Sequence, residues 1–281
     1  MRTEETGCPV SGMKAVKNRK RTITTLATRA AIAAMTGILL LLSFVSCGRA
    51  GYQYNNLISE EDRTEFSEIM ASAGIPDLDA GAILEYVNVY SNGDYSKEAL
   101  VSGWQQTTRS YQKIYDYTKA INKYTRREFE DINCRQAAFM LYHSFFQAQE
   151  PENPVEQKES RELPEYLKKE AYKYDILFGR IQMDGTVEST VLNAWQGCGA
   201  VFGEGSAHLV SLWGVEDGVV FNYHAGLMFE EEGGVIFFEK TDPILPFQLS
   251  RFASIDEMKS YLLGREGVSD QNAVFIDDRP F

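Results

Sequence analysis

Three consecutive segments decide the fold class: the run Val219-Val220-Phe221-Asn222-Tyr223-His224-Ala225-Gly226-Leu227-Met228-Phe229, the acidic Glu230-Glu231-Glu232-Gly233-Gly234, and the run Val235-Ile236-Phe237-Phe238-Glu239-Lys240-Thr241. β-Branched and aromatic residues crowd both apolar runs, and two glycines close the acidic segment, so the stretch predicts a β-hairpin. Phe247 to Phe252 reads as a further strand, Ser254 to Leu263 as a helix capped by Ser254, and Ala273 to Ile276 as a closing strand.

Upstream the periodicity is helical. Ser59 caps a helix carrying Phe66, Ile69 and Met70, which Gly74-Ile75-Pro76 ends. Asp79 to Tyr90, Ser96 to Tyr124, Asn133 to Gln149, Pro164 to Ile181 and Glu188 to Trp195 follow at helical spacing. The polar segment Glu150 to Glu162 between them is expected to be an exposed loop. Helices first and strands after predict an α+β fold, a helical half packed on an antiparallel sheet. One domain is expected over 59–281, helical in 59–197 and β-rich in 198–281.

The chain has 281 residues with 44% apolar and 24% charged residues, which suits a packed core and argues against a mostly disordered chain. Its 28 basic and 40 acidic residues leave a formal charge of −12. Seven basic and two acidic residues precede residue 47, so the remaining body holds 21 basic against 38 acidic groups. A phosphate backbone would be repelled by that body. Nucleic acid is therefore not an expected partner.

Residues 1–47 read as an export signal. A basic run from Lys14 to Arg21 and the last charge, Arg29, precede an uncharged stretch from Ala30 to Ser46. That stretch is shorter than the roughly 20 residues a transmembrane helix needs. Phe44-Val45-Ser46-Cys47-Gly48 resembles a bacterial lipoprotein cleavage box, which implies that Cys47 receives lipid and becomes the mature N-terminus. The expectation is an exported protein on the outer face of the cell membrane, held there by lipid, with residues 48–58 as a tether.

Beyond Cys8 in the leader and Cys47, the body keeps Cys134 and Cys198. Cys134 falls at or near the first turn of a predicted helix, with Asp131 or Asn133 as its cap. Free N–H groups, the helix dipole and Arg135 all favour a thiolate there. A nucleophile needs a base, and the histidines are His143, His208 and His224. His143 lies nine residues along the same helix, about 13 Å away, out of reach. His224 stands inside an otherwise apolar strand, where a titrating side chain is out of place. A four-residue loop Glu230 to Gly233 would set Glu239 opposite His224; a different register would bring Asp242 instead. No set of residues has metal-ligand spacing and no cofactor motif is present, so neither a metal nor a cofactor is expected.

The order Cys134, His224, then Glu239 or Asp242 resembles that of papain-like and cell-wall NlpC-like cysteine hydrolases over roughly residues 131 to 242. The resemblance implies Cys134 as nucleophile, His224 as general base, and Glu239 or Asp242 as the group orienting the ring. It also implies an oxyanion site from the backbone N–H of Cys134, with Asn133, and a peptide or cell-wall amide as substrate. The alternative is a surface lipoprotein that binds a ligand or partner without catalysis, through the cleft or the tyrosine-rich segment Tyr90 to Tyr124. Over nearly all of residues 50–281 the body is similar to bacterial lipoproteins of the domain-of-unknown-function 4300 family. Tyr54-Asn55-Asn56-Leu57, Asn133-Cys134-Arg135, His224-Ala225-Gly226 and Phe238-Glu239-Lys240 carry that likeness. It implies a lipid-anchored extracellular protein and no particular activity.

Overall fold

The computed structural model describes residues 51–92, 100–109, 114–115, 118, 132–152, 158–265 and 267–281. Eleven strands and seven helices are assigned among them. In chain order these are β1 (Tyr52–Asn55), α1 (Glu60–Ser72), α2 (Asp77–Asn92), β2 (Gln105–Thr107), α3 (Cys134–Tyr142) and β3 (Phe146–Gln147). Next come α4 (Lys158–Arg161), α5 (Ala171–Phe178), β4 (Ile181–Gln182), α6 (Val187–Gly197) and β5 (Val201–Phe202). The β-rich part holds β6 (Ala207–Glu216), β7 (Val219–Glu231), β8 (Gly234–Lys240), β9 (Phe247–Phe252), α7 (Ile255–Leu263), β10 (Ala273–Ile276) and β11 (Arg279–Pro280). Nine strands form one antiparallel sheet in the order β11-β10-β6-β7-β8-β9-β1-β2, with β4 also on β7. The fold is α+β, as the segregation of periods predicts.

Alternation along the strands sorts the sheet into two faces, and helices cover both. Ala225, Leu227 and Phe229 of β7, with Ile236 and Phe238 of β8, pack beneath residues of α1, α2, α3 and α5. Met228, Val235 and Phe237 point the other way, onto Met258 and Leu262 of α7. Every residue of β8 after Gly234 is buried, which explains why that strand reads as a continuous apolar run.

Several expected boundaries shift. Glu232 and Gly233 alone join β7 to β8, Gly233 at φ +88°, so Gly226 faces Glu239 rather than His224. The expected register was two residues away, which keeps every side chain on its predicted face. Residues Tyr52–Asn55, expected in the tether, are a strand between β9 and β2, and the compact unit begins at Ala50. The helix expected over Ser96 to Tyr124 lies mostly outside the described residues; where it is described, Gly103 at φ +67° and strand β2 interrupt it. α3 stops at Tyr142, short of Gln149, and a 3₁₀ turn leads into β3. Lys158–Arg161, expected in a loop, forms one helical turn. The leader, Cys8, Cys47, Glu130 and Asp131 lie outside the described residues.

Gly226 is required by close approach of its neighbour. A Cβ there would stand 2.4 Å from the Phe238 carbonyl oxygen and 2.5 Å from the Phe237 ring. Gly226→Ala is expected to destabilise the fold by about 1–3 kcal/mol, read as a lower urea midpoint with unchanged m.

Candidate functional site

Cys134 is the first residue of α3, and Asn133 is its cap. The Asn133 side chain accepts from the Gln136 N–H at 2.9 Å, and the Gln136 side chain accepts from the Asn133 N–H at 2.8 Å. This reciprocal cap leaves the N–H groups of Cys134 and Arg135 without an intrahelical acceptor. Asn133's own N–H is engaged by the Gln136 side chain, and Asn133 also lines the pocket beside Cys134. Arg135 fixes α3 against the sheet: its guanidinium donates to the Asn222 carbonyl at 3.3 Å and pairs with Glu159 at 2.9 Å.

His224 comes from β7 beside a bulge, where pairing with β6 shifts between Leu212 and Trp213. Its Nε2 sits 2.6 Å from Glu239 Oε2. The diagonal position across β7 and β8 is close enough for that bond, so the two-residue change of register does not break the pair. With Nε2 so occupied, Nδ1 is the ring nitrogen left for the thiol. The Ala225 backbone N–H also helps to lower the Cys134 thiol pKa. The carboxylate on the ring is therefore Glu239. Asp242 lines the adjoining pocket and caps the next turn, accepting from the Ile244 N–H at 3.2 Å.

Glu239 is 1% exposed, and its charge is met from three sides. Arg265 Nη1 reaches Oε2 at 2.8 Å, the Tyr261 hydroxyl donates to Oε1, and His224 holds the remaining edge. Arg265 Nη2 also donates to the Thr241 carbonyl. Burial alone would raise the Glu239 pKa; the charge of Arg265 and the His224 and Tyr261 bonds bring it down to about 2. Burial likewise works against a Cys134 thiolate. The charge of His224, its hydrogen bond to sulfur and the nearby Arg135 overcome that and set the thiol at about 7. Burial and Arg265 oppose a charged His224, yet Cys134 and Glu239 raise its pKa above the ordinary value. The two shifts run in opposite directions, and both favour moving a proton from the sulfur to the ring.

A pocket of about 370 Å³ adjoins the pair, lined by Cys134, His224, Arg135, Arg180, Asn222 and Asp242 among others. Asn222 is 2% exposed, and neither its Oδ1 nor its Nδ2 has a hydrogen-bond partner. Sequence reasoning passes over Asn222, Tyr261 and Arg265; a polar residue two positions from His224 in an apolar strand is the one signal for Asn222.

The other two histidines serve elsewhere. His143 is held between Asp79 at 3.0 Å and Glu170 at 3.2 Å. His208 lies on β6 and meets Asp277 at 2.8 Å, whose other oxygen accepts from the Tyr142 hydroxyl. Cys134 and Cys198 are both free thiols. Among the described residues no group of three or more His, Cys, Asp and Glu could hold a metal, and no helix is long and apolar enough to cross a membrane.

Residues 53–275 match the family described as a domain of unknown function, DUF4300. Comparison with curated proteins and with solved structures gives no match. The chain belongs to the DUF4300 family.

Two outcomes follow from the geometry. The alkylation rate of Cys134 should rise with pH around a midpoint of about 7. In His224→Ala that midpoint should move up toward the ordinary thiol value of about 8.5, as followed by stopped-time labelling and peptide mass mapping. Asn222→Leu removes two buried, unsatisfied polar atoms, so it should leave stability unchanged or raise it by about 1 kcal/mol in urea unfolding.

Proposed function

We propose that this DUF4300 protein is a cysteine-dependent amide hydrolase, exported and lipid-anchored through Cys47, that acts on peptides at the cell surface. The observation that carries the reading is the buried relay from Cys134 through His224 to the ionised Glu239, standing at the edge of a pocket. The resemblance to papain-like and NlpC-like enzymes supports it in the order of the three residues. Lipid anchoring rests on Phe44-Val45-Ser46-Cys47-Gly48 and the basic, then apolar, leader.

In this reading the Cys134 sulfur attacks the acyl carbon of an amide, and the carbonyl oxygen takes the negative charge. The N–H groups of Cys134 and Arg135, unpaired at the helix start, can receive that oxygen. His224, protonated as the thiolate forms, gives its proton to the amine nitrogen as the C–N bond breaks. The acyl group stays on sulfur as a thioester. Water then adds to the acyl carbon while His224 takes its proton, and release of the acid restores the thiol. Glu239 keeps the ring in the tautomer and orientation this requires. Glu239 is itself held by Arg265 and Tyr261 and needs no proton transfer.

The test is hydrolysis of a panel of peptides, including cell-wall stem peptides, by the full-length protein, scored as newly released amines. Cys134→Ala should abolish turnover, and His224→Ala should lower it by about 10²–10⁴-fold. Absence of turnover across the panel, together with a thiol that titrates at or above about 8.5, would favour a non-catalytic binding lipoprotein. Mass measurement of the mature N-terminal peptide checks the anchor: a lipid-modified Cys47 is expected, and an unmodified, uncleaved leader would exclude it.

A further inference from the structure

The charge lining the pocket is opposite in sign to that of the body around it. Among the described residues three arginines, Arg135, Arg180 and Arg265, line it against one carboxylate, Asp242, in a chain whose body carries 38 acidic and 21 basic groups. Two of the three guanidiniums have structural partners: Arg135 bonds Glu159 and the Asn222 carbonyl, and Arg265 bonds Glu239 and the Thr241 carbonyl. Arg180 differs. It is exposed, follows Gly179 at the end of α5, and among the described residues its charge meets only the Phe221 ring, 5.8 Å from the centroid. An exposed guanidinium without a carboxylate, placed at a pocket wall, is a site for a planar anion.

A second observation points to a ligand. Asn222 lines the same pocket with one donor and one acceptor that nothing in the protein satisfies. An amide group carries the complementary acceptor and donor. We infer that the pocket selects amides that carry a carboxylate, as in an acidic peptide, with Arg180 reading the carboxylate. The amide half of this assignment rests on the hydrolase reading, whereas the charge preference stands on Arg180 alone. Field lines from an acidic body would repel such a substrate elsewhere and admit it only at this mouth.

Two measurements on the full-length protein separate the possibilities. The first is the rate of Cys134 alkylation at pH 8 by iodoacetate, which is anionic, against iodoacetamide, which is neutral, mapped to Cys134 by peptide mass. Arg180→Ala should lower the iodoacetate-to-iodoacetamide ratio about fivefold while the iodoacetamide rate holds, and raised salt should erode the wild-type ratio. An unchanged ratio overturns the assignment of Arg180. The second uses Cys134→Ser, which cannot react, and compares binding of N-acetylglycine with N-acetylglycinamide by NMR titration. Preference for the anion, lost in Cys134→Ser/Arg180→Ala, supports the substrate class even if the wild-type thiol proves inert and the hydrolase reading falls. Equal binding of the two probes overturns the substrate class whatever the thiol does.

Discussion

A full negative charge sits on Glu239 in the interior, and much of the site's construction compensates for it. Burying a carboxylate is tolerable only with paired charge and filled hydrogen-bond positions. Arg265 supplies the charge, Tyr261 a hydroxyl, and His224 a ring nitrogen, drawing together β7, β8, α7 and the segment just after it. The same carboxylate raises the basicity of His224, and the charged ring in turn favours the Cys134 thiolate. Cys134 itself raises the basicity of the ring more than Glu239 does, so loss of the carboxylate would weaken the pair rather than abolish it. Stability and thiol chemistry are coupled through one side chain.

That coupling explains how a cysteine only 7% exposed can have a lowered thiol pKa. Desolvation would ordinarily leave a buried cysteine neutral and inert. Here the His224 imidazole, the charge of Arg135 and the Ala225 backbone N–H offset the lost water. The beginning of α3 is set by Asn133 and Gln136, so the helix start is specified locally while the imidazole arrives from 90 residues downstream.

Much of this was legible in the amino-acid order. The capping residues Ser59 and Ser254, the strands of the central hairpin and the helix at Cys134 are local signals, and each forms where expected. The pairing of His224 with Glu239 was foreseeable because side chains two residues apart on a strand share a face, so a register displaced by two still juxtaposes them. What escaped is non-local. Tyr52–Asn55 is too short to declare itself a strand; β9 and β2 on either side make it one. β6 hides in a stretch that begins among glycines, and its neighbours β7 and β10 define it. Arg265 and Tyr261 look like ordinary helix-end residues, since the charge they answer lies more than twenty positions earlier. Family membership, in turn, identifies the body without assigning chemistry, which leaves the site geometry to speak for the function.

The helix α7 and the turn after it come late in the chain, whereas the sulfur they condition lies near its middle. A polypeptide emerging from the ribosome would therefore expose Cys134 long before Arg265 is available. Until the C-terminal elements dock, Glu239 lacks the Arg265 and Tyr261 groups that meet its charge. The charge pairing around Glu239 is thus complete only once the chain has been made through α7 and Arg265.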